Sequence, residues 1–238
     1  MAFAMTDLAA SRNWAPGDQL VLNDPFRGGT HLPDITLIAP AFLDGELVGF
    51  CANRAHHADI GATAPGSMPV STRPEEEGLL IPPTLIVRNG SWRRSVLDHL
   101  LGGLRDGEGA FGDFSAQAAA NRLGVRRLEA LAGSLGADAF RTRAEALQDY
   151  AERLARSVFE TLPAGAYRFT DHLDDDGAGT ERIPISVTLS VLDGGDLVVD
   201  FEGTAPQLAG NLNCPLPVTV AAVTYVLRCL MPDQVPAC

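Results

Sequence analysis

Two short stretches carry residue types that could do chemistry: Thr30-His31-Leu32-Pro33-Asp34 and His56-His57-Ala58-Asp59. The chain has only five histidines, yet three of them fall here, and both stretches share a His-x-x-Asp spacing. Imidazole and carboxylate together suit Zn, Mn, Fe or Ni, and three protein ligands leave positions open for water or substrate. The same groups also serve acid–base chemistry, and in an exposed loop they simply face water. The spacing alone is common by chance, so what decides is whether the two stretches meet.

The elements between them predict that they do. Two apolar runs, ITLIAPAF and ELVGFCAN, are joined by Leu43-Asp44-Gly45-Glu46. Asp-Gly between apolar runs predicts a β-hairpin over 35–53, because both central residues of a type I′ turn need positive φ. In a regular hairpin, opposed residues carry numbers that add to 89, as Leu43 and Glu46 do. Extended down both arms, that register sets His31 opposite Ala58 and Pro33 opposite His56. Side chains opposite or diagonal across a strand pair lie about 4.5–8 Å apart, so the stretches converge at the open end. Parity puts His31 and His56 on one side, with Asp34, His57 and Asp59 on the other if both strands stay regular. A bulge or turn that swings Asp59 beside His56 would complete a three-ligand site.

The rest of the chain reads as strands, a helical pair, strands and a helix. QLVLN (19–23) and LIVRNGSW (85–92) read as further strands, and the Pro/Gly/Glu-rich 62–83 as a long ordered loop. Residues 114–133 and 137–161 show apolar residues at three- and four-residue spacing, which predicts two helices. Strand patterns return after Pro163, with Ile183, Ile185, Val187, Leu189 and Val191 in strict alternation, and 217–231 reads as a final helix. The fold class is α/β in the mixed α+β sense, with mixed β-sheets. Its expected parts are a β-rich site region (1–110), a helical segment (111–162), and strands plus a terminal helix (163–238), all within one larger catalytic domain.

Composition excludes some functions. A net charge of −12 repels nucleic-acid phosphates. The N-terminus lacks a basic segment followed by an apolar one, and no apolar run reaches the roughly 18 residues that span a bilayer. Cysteines 51, 214, 229 and 238 show no C-x-x-C spacing and read as buried thiols in a reducing compartment, so the expected location is cytoplasmic.

Other candidates are weaker. Asn23-Asp24-Pro25 with Arg27-Gly28-Gly29-Thr30 could cradle an anion, but it has no Walker lysine, and a tight turn delivering His31 explains it equally well. Asp113, Gln117 and Asn121 share one helical face, either as a solvent stripe or as a pocket lining. His99 and His172 are lone and read as structural.

The blocks GDQLVLNDPFRGGTHLPDITLIAPAF, GFCANRAHHADIGATAPGSMP, EEEGLLIPP and GDFSAQAAANRLGVRRL together resemble the hydantoinase B/oxoprolinase family, from about Pro16 to Ala237. That family includes the B-type components of N-methylhydantoinases, the C-terminal half of 5-oxoprolinase and a component of acetone carboxylases. The resemblance implies a truncated member, since the chain begins and ends inside the family's pattern. It also implies ATP-dependent opening of a cyclic amide such as a hydantoin or 5-oxoproline, with ATP used by a hydantoinase A-type partner subunit in a hetero-oligomer. Under the resemblance, His31, His56 and Asp59 hold a divalent metal (Mn, Zn or Fe). His57 and Asp34 orient ligands or move protons, and Asp24 supports the loop. The alternatives are acetone-carboxylase-like chemistry and an inactive fragment that only binds a partner.

Overall fold

The computed structural model describes residues 4–5, 8–10, 12–64, 66, 69–232 and 235. The chain forms two compact units, Met1–Arg141 and Thr142–Cys238.

The first unit is built on a five-stranded sheet of β1 (Gln19–Leu22), β2 (Asp34–Leu43), β3 (Glu46–His56), β4 (Thr84–Arg88) and β5 (Ser91–Trp92), in the order β3-β2-β1-β4-β5. Every pair is antiparallel, and so are the pairs of the second sheet. The expectation of mixed sheets is therefore corrected. Tight turns such as Asp44-Gly45 and Asn89-Gly90, all at positive φ, reverse the chain, whereas a parallel neighbour needs a long crossover.

Period-2 alternation divides the sheet's side chains between two cores. Val21, Ile35, Leu37 and Ile86 face one side, joined by Val87 where the β1–β4 register shifts, and Leu97, Leu100, Phe114 and Ala118 cover them. Leu20, Leu22, Ile38 and Phe50 face the other, under Ala4, Leu8 and Trp14. Each fully buried Leu or Ile contributes about 2 kcal/mol by leaving water.

The helices on the first face are α2 (Arg94–Gly102) and α3 (Gly107–Leu135), preceded by the single turn α1 (Pro74–Glu77). Asp106 caps α3 by accepting from the Gly109 N–H at 2.9 Å. Glycine lets α3 lie close on β3, for a Cβ at Gly124 would stand 3.1 Å from the Cys51 sulfur. The helix predicted over 114–133 extends to Leu135 with Gly133 inside it, and Gly136 ends it at φ 82.

The unit boundary falls within α4 (Ala137–Phe159), inside the segment 111–162 that the sequence reads as one helical part. α3 belongs to the first unit because its apolar face is buried there. The second unit holds β6 (Gly165–Asp175), β7 (Glu181–Val191) and β8 (Leu197–Asp200), followed by α5 (Leu216–Cys229). On β7 the alternating residues are not uniformly buried. Ile183 and Val191 are each 4% exposed, but Ile185 between them is 40% exposed, and β6 beside it is exposed along its whole length. Among the described residues, no helix is long and apolar enough to cross a membrane. Cys51 is half-buried, while Cys214 and Cys229 are exposed rather than buried thiols, and Cys238 lies outside the described residues.

Candidate metal centre

The hairpin forms at Asp44-Gly45, but its register steps by one residue between Ala41 and Phe42. Leu43 faces Glu46 and Phe42 faces Leu47, after which Ala41 faces Gly49, leaving Val48 as the extra residue of a β-bulge. The Phe42 N–H at this irregularity is taken by the Glu129 carboxylate of α3, at 3.1 Å. Beyond the bulge, Asp34 rather than Pro33 faces His56, so Asp34 and His56 share a face. The regular-hairpin register, which set them on opposite faces, is corrected at this point.

His31 reaches the same place through a turn. The Asp34 N–H donates to the His31 carbonyl at 2.8 Å, and the His57 N–H donates to the Pro33 carbonyl at 2.8 Å. The His31 and His56 rings lie 5.3 Å apart between centroids, and His56 Nδ1 is 3.1 Å from Asp34 Oδ1. His31, Asp34 and His56 each offer a donor atom, all within 4.8 Å of one another. Protein ligands about 2.1 Å from one ion stand at most about 4.2 Å apart, so a small adjustment of rotamers brings these three to a common ion.

A tight loop and a guanidinium hold the cluster in place. Gly28 sits at φ 92, and a Cβ on Gly29 would fall 2.1 Å from the Asn23 carbonyl oxygen, so the Gly-Gly pair is required by space. Asn23 is fully buried. Its Nδ2 donates to the carbonyls of Leu32 and Leu79 at 2.8 Å each, and its Oδ1 accepts from the Ile81 N–H at 2.6 Å. These bonds resolve the glycine-rich stretch in favour of a turn that delivers His31. Arg54 lies two residues before His56 and hence on its face. Its Nε donates to Thr36 Oγ1 at 2.8 Å, Nη1 to Thr30 Oγ1 at 3.2 Å and Nη2 to the Gly28 carbonyl at 2.9 Å. The Thr30 hydroxyl then donates to Asp34 Oδ2 at 2.9 Å. Burial lowers the Arg54 pKa from its ordinary value, opposed by the Asp34 charge.

The other sequence-predicted residues lie elsewhere. Asp59 is not brought to the cluster. Its Oδ1 accepts from the Gly61 N–H at 2.9 Å, and its Oδ2 from the N–H groups of Arg105 and Asp106 at 2.6 and 3.3 Å. Burial pushes its carboxyl up, but these bonds and the Arg105 charge outweigh that and hold it below the usual carboxylate range. Asp59 thus ties the loop after β3 to the start of α3, beside a cleft of about 370 Å³ also lined by Arg105, Asp106 and Asp113. Asp24 caps a 3₁₀ turn at Pro25–Arg27 through the Phe26 N–H. His57 is 2% exposed and packs on Phe114 at 4.8 Å between centroids, with its Nε2 2.8 Å from Gln117 Oε1.

Sequence reading passed over Arg54 and gave Thr30 no role beside Asp34. The signal was present for Arg54, since on a strand it must share the face of His56 two residues on. Gln117 and Asn121, left open between solvent stripe and pocket lining, are buried at 6% and 3% exposure.

Comparison with known proteins gives consistent matches. The model of the Hydantoinase B/oxoprolinase family matches residues 1–238. The 5-oxoprolinase of Saccharomyces cerevisiae is 34% identical over 237 residues, covering 93% of this chain and 18% of that one. The 5-oxoprolinase 1 of Arabidopsis thaliana is 34% identical over 251 residues, covering 94% and 19%. The crystal structure of ATP-dependent caprolactamase from Pseudomonas jessenii superposes with a TM-score of 0.89 at 30% identity, covering 98% of this chain and 40% of that chain. Acetone carboxylase in a nucleotide-free structure superposes with a TM-score of 0.82 at 20% identity, covering 97% and 32%, a likeness of fold alone. The chain therefore spans well under half the length of these relatives.

Proposed function

The chain belongs to the hydantoinase B/oxoprolinase family, and we propose that it supplies the metal-holding part of a B-type subunit in an ATP-dependent hydrolase of cyclic amides, of the hydantoin or 5-oxoproline type. The observation that carries this reading is the convergence of His31, Asp34 and His56 at the open end of the β2–β3 hairpin.

The donor set fits a divalent Mn, Zn or Fe ion: two imidazoles and one carboxylate, with Asp34 standing where the sequence had suggested Asp59. Such an ion, when bound, polarises an amide carbonyl or lowers the pKa of a water so that hydroxide is available near neutral pH. The chain's own residues prepare the donors. His56 Nδ1 faces Asp34 Oδ1 at 3.1 Å and is the nitrogen that would share an ion with that carboxylate, while its Nε2 lies 3.4 Å from the Gly66 carbonyl, a partner that would fix the Nδ1-ligating tautomer. Thr30, itself held by Arg54, donates to the other Asp34 oxygen and so stops that carboxylate from rotating. His57 is sealed against Phe114 on the opposite face, so it acts by position rather than by reaching substrate.

ATP enters through an A-type partner subunit, which activates the amide oxygen by phosphorylation. The test is reconstitution with such a partner, scoring ring-opened product from hydantoin or 5-oxoproline in the presence of ATP and Mn(II). Ring opening that disappears in His31→Ala supports the proposal. Undiminished ring opening in that variant overturns it.

A further inference from the structure

Asp34 and His56 point to one face of the hairpin, while their chain neighbours Ile35 and His57 are turned to the other, towards α3. On that hidden face one side chain grips both neighbours. Gln117 Nε2 donates to the Ile35 carbonyl at 3.0 Å and to Asn53 Oδ1 at 2.8 Å, while Gln117 Oε1 is 2.8 Å from His57 Nε2. The Gln117 carbonyl also accepts from Asn53 Nδ2 at 2.8 Å.

We propose that Gln117 is a positioning residue of the metal centre, clamping the β2–β3 pair in the one register that sets Asp34 beside His56. The inference rests on the metal-centre reading above. It stands first on occupancy: both protons of the Gln117 amide are spent on oxygens, so Oε1 faces His57 and His57 must donate from Nε2. Its buried Nδ1, which has no hydrogen-bond partner among the described residues, then carries the lone pair. The second ground is register. In the unbulged hairpin, Asn53 would turn to the other face and leave the Gln117 amide buried without that partner. The network thus penalises the pairing that separates Asp34 from His56. The third is economy. Phe114 and Ala118 around it are fully buried, and an apolar residue at 117 would serve packing alone without desolvating an amide. The bonds continue through Asn53 Nδ2 to Asn121 Oδ1 at 2.8 Å, so Asn53 is held from both sides.

The test is Mn(II) titration followed by electron paramagnetic resonance, on wild type, Gln117→Met, Gln117→Glu and the core variant Leu97→Val. Leu97 is buried in the same core but makes none of these bonds, so it reports plain destabilisation, checked by thermal melting. Gln117→Met and Gln117→Glu are expected to weaken Mn(II) binding about 10- to 100-fold, with Leu97→Val binding as wild type does. Nitrogen-15 NMR of the wild-type chain is expected to show His57 protonated at Nε2. Equal affinity in all the variants, or a His57 protonated at Nδ1, overturns the clamp while leaving the metal centre standing. Absence of Mn(II) binding in folded wild type overturns the metal-centre reading and the clamp with it.

Discussion

Replacing Asn23 by Ala should show how strongly the loop that delivers His31 is held. The Asn23 side chain is fully buried and makes three hydrogen bonds, to the Leu32 and Leu79 carbonyls and from the Ile81 N–H. Truncation leaves three backbone groups without that partner. A buried group left unsatisfied costs about 1–3 kcal/mol, and water entering the vacated space recovers part of it, so the expected loss is about 3–4 kcal/mol. For a unit of this size that is a fall in melting temperature of about 10–15 °C. The assay is thermal and urea unfolding followed by circular dichroism, with Asn23→Asp alongside. Asp keeps the acceptor for Ile81 but sets a carboxylate against two carbonyl oxygens, so it should be at least as damaging as Ala. A loss below about 1 kcal/mol for both variants would refute the view that Asn23 joins the Gly-Gly loop to the 79–81 segment.

Other expectations follow from the same geometry. Thr30→Val, which keeps the shape but removes the hydroxyl bonded to Asp34 Oδ2, should weaken Mn(II) binding about tenfold, measured by titration, with little change in melting temperature. Asp59→Asn should leave Mn(II) affinity unchanged while Asp34→Asn abolishes it; the reverse pattern would return the third ligand to Asp59. The Asp59 carboxyl is depressed in the folded chain, so its stabilising effect is complete above the unfolded value of about 3.9 and is lost as pH falls through the lower folded value. The melting-temperature gap between wild type and Asp59→Asn should therefore be steady above about pH 5 and close in acid. Deleting Val48 removes the bulge residue but keeps Asp34 opposite His56, so the variant should fold and bind Mn(II) as wild type does; loss of binding would show that the bulge itself shapes the site.

The meeting of His31 with His56 was legible because Asp44-Gly45 announces a hairpin locally and pairing then follows by counting. The pairing partner of His56 was not, because the bulge at Val48 leaves no local mark and the Phe42 N–H beside it is taken by Glu129, more than eighty residues away in sequence. That single step exchanged Pro33 for Asp34 opposite His56 and so changed which carboxylate joins the cluster. Asp59 carries the right chemistry at the right spacing, but the backbone N–H groups at the start of α3 compete for its oxygens. Gln117 and Asn121 were open between solvent stripe and pocket lining because polar residues among alanines suit both; what buries them is the sheet, which supplies Gln19, Ile35, Asn53 and His57 as partners from far along the chain. On β7 the alternation predicted one buried face, yet Ile185 is exposed, since alternation states which side residues share and not whether anything covers it.

A metal held at His31, Asp34 and His56 would be purified with the chain. The most direct measurement is the metal content of the purified chain by inductively coupled plasma mass spectrometry, beside a His31→Ala/His56→Ala double variant checked for folding. Near-stoichiometric divalent metal is expected in wild type and none in the variant. A folded wild-type chain that stays metal-free after supplementation with Mn, Zn and Fe, or a double variant that keeps its metal, would contradict the metal-centre reading.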